Sequence, residues 1–282
     1  MFLNASIGIS EPKPAKEKNA KKLTAADRWF TKPLPNPEAK SQLFLIHDAG
    51  GNKHVFDAWH ERIKSDIEII IVQLPGRNDR SSEPAIMDVN ALIDELVPLM
   101  NDVIEKPFSI YGHSMGGLLA FEIARELQHS YGKFAQKLMV SGTPGLRNYD
   151  NKFVNYIVDN NLSERDVHTL MPKFQRYDFE DPTVRKMIQV LMNDMKLIHS
   201  YKYKTKALLD SDIVAFHAIN DVRVRLNDVE KWESETINEF KLIEVPGSHN
   251  FVYYESEALT RLINIELDDM SRMHLLTEIK YN

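Results

Sequence analysis

Between an apolar run, Pro107 to Tyr111, and a strongly helical one, Leu118 to Gln128, the chain carries Gly112-His113-Ser114-Met115-Gly116-Gly117. A serine at the centre of Gly-x-Ser-x-Gly, with a strand before it and a helix after it, fits a sharp strand-to-helix turn. Glycine is needed at 112 and 116 because a Cβ there would collide as strand and helix pass close together. Such a turn lifts Ser114 Oγ clear of the sheet and aims the Met115 N–H where a tetrahedral oxyanion would form. The helix that follows sets its positive end beneath that charge. The five-residue string also arises in ordinary loops. Its flanks are what make Ser114 a candidate nucleophile.

The remaining pattern alternates strands with helices. Gln42 to His47, Ile67 to Leu74, Lys137 to Ser141, Asp212 to Ala218 and Phe240 to Val245 read as short apolar strands. Ile67, Ile69, Ile70, Ile71 and Val72 form a nearly unbroken aliphatic run, the mark of a strand buried on both faces. Val55 to Ile63, Val89 to Ile104, Val229 to Trp232 and the stretch from Glu255 onward read as helices, with Pro98 predicting a kink. This rhythm predicts an α/β fold with a mostly parallel central sheet flanked by crossover helices. From 146 to 206 the rhythm breaks into a helical stretch rich in Met, Phe and Tyr, which predicts a lid inserted between two strands. Residues 1–25, lysine-rich and interspersed with proline and alanine, predict a flexible solvated arm. A single domain is expected over 26–270, followed by a tail over 271–282, with no internal repeat.

Several classes of function fit poorly. A formal charge of −6 disfavours nucleic acid, which calls for a basic stripe. The chain has no cysteine, so disulfides and thiolate zinc sites are excluded. With no apolar leader and no run of membrane-spanning length, it reads as soluble and cytoplasmic. Gly-x-Gly-x-x-Gly, a phosphate loop and His-Glu-x-x-His are all missing, and His54 and His60 do not share a helix face. No metal and no cofactor are expected.

A serine hydroxyl is a weak nucleophile at neutral pH and needs a histidine base held by a carboxylate. On a sheet of this kind the partners follow in the order Ser, acid, His, each just beyond a later strand. His249, in Pro246-Gly247-Ser248-His249, follows the last strand and is the expected base. Asp221, in Ile219-Asn220-Asp221-Val222-Arg223, follows the strand before and is the expected acid. Asp228 is the alternative acid, although its position suits a helix cap better. The second oxyanion donor is expected from the loop after the first core strand, His47-Asp48-Ala49-Gly50-Gly51, as the Ala49 N–H. Fold and chain order alone leave lipases, esterases, peptidases and thioesterases equally open.

Further stretches narrow the choice. Gln73-Leu74-Pro75-Gly76-Arg77-Asn78-Asp79-Arg80 with Glu83-Pro84 resembles the QLPGRxxR…EP signature of type II thioesterases. Gly112 to Arg125 is similar to that family's serine segment, and Leu191 to Leu197 with Tyr201-Lys202-Tyr203 to its lid-exit motif. Asp221 to Val224 with Asp228 to Trp232 resembles the acid loop, and Pro246 to His249 the histidine loop. The resemblance runs from about Trp29 to Leu267. These are the stand-alone editing enzymes of nonribosomal peptide and polyketide synthesis, of the kind that accompany the gramicidin and surfactin synthetases.

The resemblance implies an α/β-hydrolase fold, a Ser114–Asp221–His249 triad, Met115 and Ala49 as oxyanion donors, and acyl thioesters on carrier-protein phosphopantetheine arms as substrate. It implies acyl or peptidyl carrier domains as partners, and a monomer is expected. An acyl-CoA thioesterase or carboxylesterase with the same triad, and a non-catalytic acyl-binding or synthetase-docking module, are the alternatives. In its first loop the family usually has Phe-Pro-x-Ala-Gly-Gly, whereas this chain has Ile46-His47-Asp48-Ala49-Gly50-Gly51. An ionised Asp48 pointing inward would oppose oxyanion charge, so its side chain is expected to face solvent.

Overall fold

The computed structural model describes residues 24–147 and 149–280, with side chains through 268. The expected arm over 1–25 therefore lies almost wholly outside the described residues. Seven strands, β1 (Phe30–Thr31), β2 (Ser41–Ile46), β3 (Ile67–Val72), β4 (Phe108–His113), β5 (Lys137–Ser141), β6 (Asp212–Ala218) and β7 (Phe240–Val245), form one sheet. Their order is β1-β3-β2-β4-β5-β6-β7. Only β1 runs antiparallel; β2 to β7 are parallel throughout.

The aliphatic runs become strands because the sheet is covered on both faces, and the side chains divide between the faces with the period of two a strand imposes. Phe44, Ile46, Ile70, Val72, Ile110, Leu138, Val140 and Ile213 join one buried cluster, while Leu43, Leu45, Ile69, Ile71, Tyr111, Met139, Val214 and Phe216 join the other. The helices are α1 (Ala25–Trp29), α2 (Val89–Val103), α3 (Met115–Tyr131), α4 (Lys152–Asp159), α5 (Glu164–Leu170), α6 (Pro172–Gln175), α7 (Pro182–Ser200), α8 (Leu226–Val229), α9 (Phe251–Tyr254) and α10 (Ser256–Lys280). Residues of α2, α3 and α7 fill the first cluster; Phe56 and Trp59, with Leu259 and Ile263 of α10, fill the second.

Four helices, α4 to α7, stand between β5 and β6. Each has its own start signal: Asn151 caps α4, a Ser163–Asp166 capping box opens α5, Pro172 is the first residue of α6, and Asp181 caps α7 ahead of Pro182. Val154, Val167, Phe174, Ile188 and Leu191 of this insertion are buried in the same cluster as one face of the sheet.

The stretch 55–63 is not an α-helix but two 3-10 turns, Lys53–Phe56 and Trp59–Glu61. Pro98 sits on the exposed side of α2, which continues through it to Val103. α10 runs past 270 to Lys280, so the expected tail is helical over most of its length. Among the described residues no helix is long and apolar enough to cross a membrane.

Candidate active site

Parallel register aligns the carboxyl ends of the strands: Ile46 of β2 pairs with Gly112, His113 of β4 with Ser141, Ser141 of β5 with Phe216, and Ala218 of β6 with Val245. Whatever follows β2, β4, β6 and β7 must therefore emerge along one edge. Ala49, Ser114, Asp221 and His249 are the residues that do.

Ser114 stands between β4 and α3 at φ 54°, ψ −115°. That is the mirror image of an extended conformation, open to glycine and strained for a residue with a Cβ. Neighbours hold it there. Its N–H donates to Ser141 O at 2.8 Å, and its carbonyl accepts from Gly117 N–H at 2.9 Å and Thr143 Oγ1 at 2.8 Å. A Cβ on Gly112 would overlap the Gly116 carbonyl, and one on Gly116 would overlap the Ile46 carbonyl. The two glycines thus let α3 start directly against the sheet.

His249 Nε2 lies 3.2 Å from Ser114 Oγ, and its Nδ1 lies 2.8 Å from Asp221 Oδ2. An ionised carboxylate can only accept, so Nδ1 carries the proton and Nε2 turns its lone pair to the serine hydroxyl. The Asp221 side chain is fully buried. Burial alone would raise its carboxyl, but the His249 hydrogen bond and charge, with the Arg223 and Val224 N–H groups, outweigh burial and hold it below its usual range. Those amides donate to Oδ1 at 2.8 and 3.1 Å, which fixes the carboxylate plane. Asp228 is elsewhere: it sits inside α8 and pairs with Lys231 at 2.6 Å, without capping the helix.

Among the described residues, neither of the two expected oxyanion amides is engaged. Hydrogen bonds of α3 begin at Gly117 N–H, so Met115 N–H has no acceptor in its own helix, and Ala49 N–H donates to nothing among the described residues. The Asp48 carbonyl, part of the same peptide unit as Ala49 N–H, accepts from Gly51 N–H at 3.0 Å and from His47 Nδ1 at 2.9 Å. A carbonyl only accepts, so the His47 proton is on Nδ1. The Asp48 carboxylate is half-buried and accepts the Tyr253 hydroxyl at 2.7 Å in an exposed contact, which tethers it to α9. Burial, followed by the Asp48 charge, pushes the Tyr253 phenol up, which keeps it protonated as the donor.

Behind His249 lies a second imidazole that the sequence reading left unassigned. His113 is fully buried, its ring centroid 5.4 Å from that of His249, and its Nδ1 shares a hydrogen bond with Ser141 Oγ at 2.8 Å. Ser141 Oγ meets the buried Tyr111 hydroxyl at 2.6 Å. Burial, then the neighbouring His249, lower the His113 ring to about 3, so it is neutral near pH 7. Its position between the glycine and serine of the turn is the signal that could have marked it. Among the described residues no three His, Cys, Asp or Glu side chains form a metal-binding group.

A profile of the thioesterase domain family matches residues 41–267 of this sheet and insertion. The chain belongs to the thioesterase domain family. This thioesterase is 29% identical over 245 residues to linear gramicidin dehydrogenase LgrE of Brevibacillus parabrevis, covering 85% of this chain and 92% of that protein. It is 28% identical over 233 residues to gramicidin S biosynthesis protein GrsT of Aneurinibacillus migulanus, covering 82% and 90%. Its structure superposes on the type II thioesterase BorB from the borrelidin biosynthetic cluster with a TM-score of 0.74 at 26% identity, covering 86% of this chain and 98% of that one. The fold is an α/β-hydrolase fold, and the solved structures it resembles include a type II thioesterase.

Proposed function

We propose that this thioesterase is an editing enzyme that hydrolyses acyl thioesters from the phosphopantetheine arms of carrier proteins in nonribosomal peptide or polyketide synthesis. Ser114 is its nucleophile, His249 its general base and Asp221 the carboxylate that orients the imidazole. The observation that carries this reading is the continuous run from Ser114 Oγ through both His249 nitrogens to Asp221, at 3.2 and 2.8 Å. The likeness to GrsT and to BorB supports the setting in a synthetase cluster.

In this mechanism Ser114 Oγ attacks the thioester carbonyl as its proton passes to His249 Nε2. The tetrahedral oxyanion is met by the Met115 and Ala49 N–H groups, and Asp221 stabilises the imidazolium. Collapse breaks the carbon–sulfur bond, and the pantetheine thiol leaves with that proton. His249 then takes a proton from water, the hydroxide equivalent attacks the acyl-serine ester, and the carboxylic acid departs with Ser114 restored. Every group invoked comes from one chain, so the triad and both oxyanion donors are complete without a second copy.

Hydrolysis of an acyl-carrier protein, the matching acyl-CoA and a p-nitrophenyl ester, compared for the native enzyme and Ser114→Ala, tests the reading. Native turnover should be fastest on the carrier-bound thioester, and Ser114→Ala should lose on the order of 10⁶ in kcat. A preference for acyl-CoA or the simple ester would move the substrate to that class. Undiminished hydrolysis by Ser114→Ala would end the serine mechanism.

A further inference from the structure

Arg77 and Asp194 belong to the two family-like stretches that the mechanism above leaves unused, Gln73 to Arg80 and Leu191 to Leu197. They meet across 117 residues of chain as a bidentate ion pair, Arg77 Nη2 to Asp194 Oδ1 at 2.5 Å and Nη1 to Oδ2 at 2.7 Å. Both are buried, at 5% and 2% exposure. Asp194 Oδ2 also accepts the Gly50 N–H at 2.7 Å, and Arg77 Nη1 also donates to the Gly51 carbonyl at 3.1 Å. The pair therefore grips the backbone of the loop that carries Ala49 by one N–H and one C=O. Gly50 adopts φ +75°, and a Cβ there would come 3.3 Å from Leu191, one turn before Asp194 on the same helix α7.

We propose that Arg77 and Asp194 are positioning residues for acyl transfer, holding the 48–51 loop so that the Ala49 N–H faces the oxyanion. This rests on the reading of Ala49 as the second oxyanion donor. A trans peptide points its N–H opposite its C=O. The Asp48 carbonyl is fixed from one side by His47 Nδ1–H and Gly51 N–H, and the next peptide is fixed through Gly50 N–H by Asp194. The Ala49 N–H lies between two immobilised groups and keeps one direction. The pair's contribution to stability is expected to be small, since buried ion pairs are commonly replaceable by apolar side chains at little cost. Because Asp194 and Leu191 are on the last helix of the insertion, the seating of α7 and the shape of the oxyanion loop are a single arrangement.

The test is the double variant R77M/D194L, which removes both charges together and takes the acceptor from Gly50 while keeping volume in place. Four quantities are read: Tm, kcat and KM on an acyl thioester, affinity for an alkyl boronic acid that forms a tetrahedral adduct on serine, and affinity for a non-hydrolysable thioether analogue of the substrate. Tm should stay near native, while kcat and boronate affinity fall together by about 10- to 100-fold, somewhat less than the loss of a whole oxyanion donor. KM and thioether affinity should stay within about twofold. Native kcat and boronate affinity in a folded double variant would overturn the proposal, as would equal losses of boronate and thioether affinity. Amide NMR of the native enzyme reads the same point without any variant. The Gly50 proton should resonate downfield and exchange slowly, and the Ala49 and Met115 amides should shift when boronate binds. A rapidly exchanging Gly50, or an Ala49 amide that stays put while Met115 moves, would also overturn it. If Ser114→Ala is inactive but R77M/D194L is fully active, only this inference falls; if Ser114→Ala retains turnover, the catalytic reading itself falls.

Discussion

Replacing Ser114 by glycine should abolish activity and make the protein more stable than Ser114→Ala. At φ 54°, ψ −115° the backbone occupies a region that a Cβ disfavours and glycine enters freely. Strain of this kind is worth about 1–3 kcal/mol. Alanine keeps the Cβ and hence the strain; glycine removes it, at a cost of about 0.5–1 kcal/mol from the greater freedom of the unfolded chain. Both variants lose the same hydroxyl, including its 3.2 Å contact with His249, so that term cancels in the comparison. The net advantage of glycine is about 1 kcal/mol, or about 2–4 °C in Tm for a domain of this size. Thermal unfolding of both variants by calorimetry, at one pH and scan rate, measures it. If Ser114→Gly melts at or below the temperature of Ser114→Ala, the turn is not strained and the account of why it holds an exposed hydroxyl fails.

Two further outcomes follow from the same geometry. Asp221→Asn removes the acceptor that keeps the His249 proton on Nδ1 and should lower kcat by about 10⁴ with KM little changed, whereas Asp228→Asn, whose carboxylate pairs with Lys231, should leave kcat within about twofold. A loss below tenfold in Asp221→Asn would remove it from its role. Stability should also fall in mild acid. Burial, then the Arg77 charge, lowers His47 to about 4, and burial, then His249, lowers His113 to about 3. With folded values below the unfolded one of 6.5, the unfolded chain binds more protons, so stability present above pH 6.5 is lost as pH falls towards 4. At pH 5 each histidine costs about 2 kcal/mol relative to pH 8. Urea unfolding at the two pH values checks this, and equal free energies would show that neither ring is buried neutral.

The parallel sheet was legible because its strands are buried on both faces, which leaves runs such as Ile69-Ile70-Ile71-Val72 with no polar interruption. Chain order then located the residues after β4, β6 and β7, since register brings those strand ends to one edge. The segment 55–63 misled because helical spacing and 3-10 spacing differ little over one turn. Phe56 and Trp59 are three apart, both buried, and meet at 5.0 Å between centroids, while the Asn52 side chain caps the first turn through His54 N–H. The tether on Asp48 was not legible because its partner, Tyr253, is 205 residues away and belongs to the short α9. The Arg77–Asp194 pair is hidden for the same reason: each residue alone looks like an ordinary surface charge, and only the tertiary fold buries them together.

The most direct measurement is rapid-quench intact mass spectrometry of the enzyme mixed with an acyl-carrier protein, followed by peptide mapping. A transient gain of one acyl group on the peptide that contains Ser114 is expected, and no such species in Ser114→Ala. Turnover without that adduct, or an acyl group mapped to any other residue, would contradict it.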